Sequence, residues 1–255
     1  MSVLPHTAFE KLSLEEETIL ASSALLRGLE PTALQALFSQ GSLRACADES
    51  FFFMEEDPAT RGYVLLTGKV KLTQLTPDGQ QVILGYLSPG RVFGIIAMIK
   101  KILYPVSAQA VGECRAFSWE QQTLLQAMEA QPRLALNALH IMAGQIREFQ
   151  NKIRDLATQR VEQRIARMII RLAQQSGQKV QQGILIDLPL SRQDLAEMTG
   201  CTLFTVSRVL KEWEKRGLLL AKRQQIVITA PHGLMTIAED LPAYQPLQDN
   251  PVCDL

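Results

Sequence analysis

The stretch SRQDLAEMTGCTLFTVSRVLKEWEKRG, residues 191–217, holds two short helical patterns divided by a glycine. Ser191 stands three residues before Asp194, the spacing of a capping box, and the acid also favours the positive end of the helix it opens. Leu195, Ala196 and Met198 are expected to face inward. Gly200 permits a sharp turn, Thr202 caps the next helix, and Val206, Val209, Leu210 and Trp213 supply that helix with a buried side. Its outer face carries Thr205, Ser207, Arg208, Lys211 and Lys215. Downstream, LLLAK and IVITA flank the basic turn Lys222-Arg223-Gln224-Gln225, which predicts a two-stranded wing.

A helix fits the major groove of duplex DNA, an Arg can grip guanine O6 and N7 together, and flanking cations neutralise phosphates. Arg208 is the expected base reader, and Arg192, Ser207, Lys211 and Lys222 are expected phosphate or mixed contacts. Thr202, Leu203, Phe204, Thr205 and Gln193 complete the candidate interface. Any one of these lysines alone would be an ordinary solvated charge. Capping, turn, basic face and wing together point to DNA.

Upstream the pattern is β. YVLLTGKVKLTQL (63–75) and VILGYL (82–87) flank Asp78-Gly79, a hairpin signal, and further strands are expected at Val106–Ala110 and Cys114–Trp119. Glycines 68, 85, 90 and 94 recur beside these short strands, which suggests a small barrel or jelly roll. Before it come short amphipathic helices, the second started by Glu30-Pro31. Helical periodicity resumes near Glu120. Ala135, Leu139, Met142, Ile146, Phe149, Ile153 and Leu156 then alternate in steps of four and three, an a/d seam of about three heptads that predicts a homodimer. Val161, Ile165, Met168, Ile169 and Leu172 form a broader stripe, suited to a small core.

With 255 residues, 47% of them hydrophobic and 20% charged, the chain has the length and composition of two folded domains. Its zero net charge is sorted by region: residues 1–130 carry 10 Lys/Arg against 14 Asp/Glu, and residues 158–230 carry 12 against 6. Only the latter region is ready to meet a polyanion. No export signal or membrane-spanning run is read, so a cytoplasmic location is expected. Cysteines 46, 114, 201 and 253 make no C-x-x-C pair and no zinc spacing, and are read as core or idle thiols.

The order barrel, long helix, winged helix-turn-helix resembles the CRP/FNR family of bacterial transcription regulators over roughly residues 20–228. The carriers are YVLLTGKVKL and LSPGRVFG in the barrel, RDLATQRVEQRIARMIIRLA at the hinge between the long helix and the DNA-binding domain, and LSRQDLAEMTGCTLFTVSRVLKEWEKRGLL in that domain. The resemblance implies an α+β chain with a cyclic-nucleotide-binding-like effector domain (1–130), a dimerisation helix (131–157) and a winged helix-turn-helix domain (158–230), and composition adds an acidic tail (231–255). It also implies homodimers on palindromic DNA with half-sites about one helical turn apart, contact with RNA polymerase, and a small-molecule effector in the barrel.

Members that bind cyclic AMP keep a Glu after the Gly matching Gly94 and an Arg-Ser or Arg-Thr pair for the phosphate. This chain has Ile95 and Val106-Ser107 there, which forfeits a charge-assisted contact and argues against cyclic AMP. Phe149 and Gln150 replace the small hydroxyl residues of the dimer helix. An N-terminal cysteine cluster for an iron–sulfur centre is missing before Cys46. Gly94, Ile95, Ile96, Met98, Val106, Ser107 and Phe149 therefore outline an apolar effector pocket, or a filled core with no effector. Haem, as in gas-sensing members, is a candidate whose axial ligand would come from His140, His6, a cysteine, Met98 or Met142. Where many relatives have a cytosine-reading Glu four residues before the matching Arg, Phe204 stands here, an aromatic that can lie against a thymine methyl.

Other classes fare worse. His6, His140 and His232 lie far apart with no nucleophile motif nearby, so no enzyme is expected. An adaptor acting through proteins alone would not need the +6 of residues 158–230. The last 25 residues carry four acids and no Lys or Arg, and are read as a solvated tail.

Overall fold

The computed structural model describes residues 12–240. The chain divides into two units, Met1–Ile153 and Arg154–Leu255. The first contains α1 (Leu14–Ser22), α2 (Pro31–Gln40), β1 (Ser42–Cys46), β2 (Phe51–Phe53), β3 (Arg61–Leu75), β4 (Gln81–Leu87), β5 (Val92–Phe93), β6 (Ser107–Glu120) and α3 (Gln121–Ala130). The long helix α4 (Pro132–Thr158) runs across the boundary. The second unit continues with α5 (Val161–Ser176), β7 (Gly177–Val180), β8 (Gly183–Ile186), α6 (Arg192–Thr199), α7 (Leu203–Lys215), β9 (Leu219–Lys222), β10 (Gln225–Ile228) and α8 (Pro231–Glu239).

The first unit is built on one antiparallel sheet in the order β1-β6-β3-β4, with β2 on β6 and β5 on β3. Successive strand residues point to opposite faces, and β3 buries both. Val64 and Leu66 join a cluster with Leu20, Leu37, Phe117, Trp119 and Leu134, drawn from the helices and the outer face. Tyr63 and Leu65 join the barrel interior with Phe53, Phe93, Tyr104, Ala110 and Cys114. This is why the strand reads as a continuous apolar run. The predicted hairpin at Asp78-Gly79 is present, with Gly79 at φ 80° joining β3 to β4. The two strands expected at 106–110 and 114–119 are one, β6. Its pairing with β3 slips around Thr67, where Gly68 and Gly112 both take left-handed backbone and absorb the extra residues.

In the second unit α5 buries Ile165, Ile169 and Leu172. The sheet order is β7-β8-β10-β9, so the predicted wing, β9 and β10, extends a hairpin formed by β7 and β8. Residues 231–239, expected to begin the tail, instead form α8, with Pro231 in the first turn. Leu234 and Ala238 are fully buried there, which removes this segment from the solvated tail, and residues 241–255 of that tail lie outside the described residues. Met198, expected inside, is only half-buried.

Candidate nucleic-acid interface and the barrel interior

The turn between α6 and α7 is held from several directions. Ser191 Oγ accepts from Asp194 N at 3.0 Å while the Asp194 carboxylate accepts from Ser191 N at 2.7 Å, the reciprocal cap expected from the spacing. Gly200 ends α6 in the left-handed region at φ 63°. Thr202 Oγ1 accepts from Thr205 N at 3.2 Å and starts α7. Arg164, on α5, adds a clamp that motif reading missed: its guanidinium donates to the carbonyls of Thr199 at 3.0 Å and Gln159 at 3.1 Å. No local pattern announces it, because its partner Thr199 is 35 residues away.

Val206, Val209, Leu210 and Trp213 bury the inner face of α7. The other face is open: Thr202, Leu203, Phe204, Arg208 and Lys211 are exposed, and Thr205 and Ser207 half-exposed. Phe204 is 78% exposed, far more than an aromatic side chain needs for its own fold. Arg192 and Gln193 are exposed at the start of α6, where Gln193 donates to Glu197 at 2.9 Å. Lys222 is exposed at the wing turn, and among the described residues Arg192, Arg208, Lys211 and Lys222 make no ion pair. Unpaired cations beside an open helix face suit phosphates and base edges.

The residues expected to wall one pocket are divided by the fold. Ile95 and Met98 are buried in the helix-side cluster, whereas Ile96 and Val106 pack on the barrel interior. Phe149 is exposed on α4. Gly94 takes φ 63°, and a Cβ there would meet the Arg61 carbonyl at 2.9 Å and the Tyr63 ring at 3.0 Å. The Ser107 hydroxyl already accepts from Glu55 N at 2.9 Å. Ile95 is buried, and position 106 carries a valine and not a guanidinium. His140 is exposed on α4.

Aromatic rings fill the interior instead. Phe53 stacks on Tyr104 with centroids 3.7 Å apart, Tyr63 stacks on Phe93 at 4.9 Å, and Phe52 meets Tyr63 and Phe93 edge-on. Tyr104 Oη donates to the Arg61 carbonyl at 2.7 Å and accepts from Arg61 N at 3.0 Å. Burial, reinforced by the neighbouring Tyr104, pushes the Tyr63 phenol up to about 12.

A winged helix-turn-helix in the same chain as a cyclic-nucleotide-binding-type barrel defines a class of DNA-binding regulator. Residues 163–237 match the Crp-like helix-turn-helix domain, and residues 43–131 match the cyclic nucleotide-binding domain. The chain is 26% identical over 213 residues to a CRP-like cAMP-activated global transcriptional regulator of Mycobacterium tuberculosis, covering 84% of this chain and 95% of that protein. It is 28% identical to a global nitrogen regulator of Nostoc, covering 70% and 81%. A CRP-family transcriptional regulator from Thermus thermophilus superposes with a TM-score of 0.65 at 27% identity, covering 78% and 97%. The chain belongs to the CRP/FNR family of transcription regulators, DNA-binding proteins and not enzymes. Among the described residues, no helix is long and apolar enough to cross a membrane.

Proposed function

We propose that the protein is a homodimeric, sequence-specific transcription regulator that lays α7 of each copy into neighbouring major grooves of a palindromic site. The observation that carries this reading is the open face of α7, with unpaired Arg208 beside exposed Phe204 and Leu203. Arg208 grips a guanine, Phe204 lies against a thymine methyl, Ser207 and Lys211 reach phosphate or base edges, and Arg192 and Lys222 hold the backbone on either side. Selection of binding sites from a random duplex pool tests it. Recovery of inverted repeats with a fixed guanine supports the reading, and recovery of no preferred sequence defeats it.

The dimer rests on α4, where Leu139, Ile146, Phe149, Ile153 and Leu156 are all exposed along one stripe. A face this apolar calls for a partner helix. By family likeness the dimer works in the cytoplasm and contacts RNA polymerase. Its effector is not cyclic AMP but an apolar molecule entering beside Ile96 and Val106, half-buried residues at the barrel interior. The stacked rings of Phe53, Tyr104, Tyr63 and Phe93 favour a second reading, a barrel filled by its own side chains that needs no effector. Native mass spectrometry of protein purified from its own host separates the two: a bound apolar compound supports the first, and bare protein that binds its site fully supports the second.

A further inference from the structure

Cys46 on β1 and Cys114 on β6 are direct partners across the antiparallel ladder, the last pair of that register. Residues opposed in this way point to the same face with Cβ atoms about 4.5–5.5 Å apart. Both side chains lie in the barrel interior, Cys114 buried in it and Cys46 packed against it while partly exposed. A disulfide needs Cβ atoms about 3.5–4.5 Å apart, so a shift of about 1 Å suffices. The Cys114 sulfur sits against the bare backbone of Gly68 on β3, 2.6 Å from where a Cβ would stand, so forming the bond turns it away from β3 toward Cys46. The thiols also sense one another: burial raises Cys46, and the neighbouring Cys114 raises it further.

We propose that Cys46 and Cys114 are a dithiol site that hydroperoxides oxidise to a cross-strand disulfide. Cys46 is the partly exposed member, so the peroxide meets it first. Its thiolate sulfur attacks one peroxide oxygen, an S–O bond forms as the O–O bond breaks, and the departing oxygen takes up the thiol's proton as alcohol or water. The Cys114 sulfur then attacks the sulfenic sulfur of Cys46. The S–S bond forms, the S–O bond breaks, and hydroxide leaves with the Cys114 proton as water. The two thiols together lose two electrons and the peroxide gains them. Cys114 gives up its bond to the Lys69 carbonyl, made at 3.0 Å in the reduced state, and β1 becomes covalently tied to β6. Burial raises both thiols, so little Cys46 thiolate is present near neutral pH and the first attack is the slow step.

The test uses the full chain carrying Cys201→Ser and Cys253→Ser, so that only this pair can react. After treatment with hydrogen peroxide, alkylation in denaturant and tryptic digestion, the peptides 45–61 and 102–115 are expected joined and lighter by two hydrogens. Adding Cys46→Ser should leave Cys114 fully alkylated. Adding Cys114→Ser should leave Cys46 as a sulfenic acid trapped by a cyclic dione. The proposal is overturned if both cysteines remain alkylatable in the parent protein, if Cys46 goes to sulfinic acid without cross-linking, or if the link joins two copies. Should the buried Cys114→Ser variant fail to fold, the parent and the Cys46→Ser variant decide the matter alone. DNA binding plays no part in the readout, so the outcome is independent of the regulatory reading.

Discussion

Arg167 on α5 meets the carboxylate of Asp155, near the end of α4, at 3.2 Å, and Arg171 approaches its other oxygen at 3.7 Å. Arg167 also donates through Nε to the Ala238 carbonyl of α8 at 2.9 Å, so one guanidinium ties three helices of the second unit together. The Asp155 side chain is only 12% exposed, and removing it strands two guanidinium groups beside the chain. Asp155→Ala is expected to cost about 1–3 kcal/mol, the range for hydrogen bonds to charged groups. Melting should fall by about 2–4 °C for each kcal/mol. Asp155→Asn keeps an acceptor and should fall less. Equal melting temperatures for all three proteins would show that the pair contributes nothing.

Arg208→Ala is expected to weaken binding to the selected site by about 1–3 kcal/mol and to relax preference at one guanine. Replacing thymines of the site one at a time by uracil removes only the methyl group. Wild-type protein should lose affinity at the position under Phe204, and Phe204→Glu should shift that preference toward cytosine. Indifference to every uracil would refute the contact while leaving the Arg208 assignment standing.

Gly200 is the pivot of the helix-turn-helix, at φ 63° with the space above it closed by Leu156 at 3.3 Å from a would-be Cβ. Gly200→Ala forces a left-handed alanine, at about 1–2 kcal/mol, against a side chain that must also move. Stability and DNA affinity should fall together, because α7 is aimed by this turn. Circular dichroism melts and a fluorescence anisotropy titration measure both, and an affinity loss without a stability loss would place the effect elsewhere.

Much of this architecture is readable from short-range chemistry. Ser191 with Asp194, Gly200, and Asp78-Gly79 act within a few residues, and their conformations follow the spacing. What stayed hidden is long-range or lacks a pattern. The four residues of β7 are all exposed, so no alternation marks the strand, and only its ladder with β8 defines it. The Arg164 clamp joins positions 35 residues apart. The aromatic stack gathers Phe53, Tyr63, Phe93 and Tyr104 from separate segments, and single-segment periodicity cannot show that they share one interior. Pro231 and Gly233 disguise α8, whose stability comes from burying Leu234 rather than from helix propensity.

Ile146 lies mid-stripe on α4 and is 56% exposed. If a second copy covers it, Ile146→Glu buries a carboxylate against its own twin, and the pair should dissociate. Sedimentation at micromolar concentration is expected to give a dimer for the wild type and a monomer for the variant. Affinity for a two-half-site duplex should then drop toward that for a single half-site, since linked binding is lost. A monomeric wild type would remove the dimer from the proposal.

The buried phenols predict an alkaline limit to stability. Tyr63 titrates near 12 in the folded protein, against an ordinary value near 10. The shift is upward, so between these two values the unfolded chain has released the proton that the folded chain still holds. The contribution is therefore complete below about pH 10 and is lost as pH rises toward 12, by about 2–3 kcal/mol at most. Tyr104, also raised by burial and stacked on Phe53, should add a loss in the same direction as pH rises. Lysines titrate there too, so the informative quantity is the difference between wild type and Tyr63→Phe. In urea unfolding at about pH 9 and about pH 11.5, the stability gap between them should move in favour of the phenylalanine variant as pH rises. A gap that stays constant would mean that Tyr63 ionises with equal ease in both states, and that the barrel interior admits water to the ring.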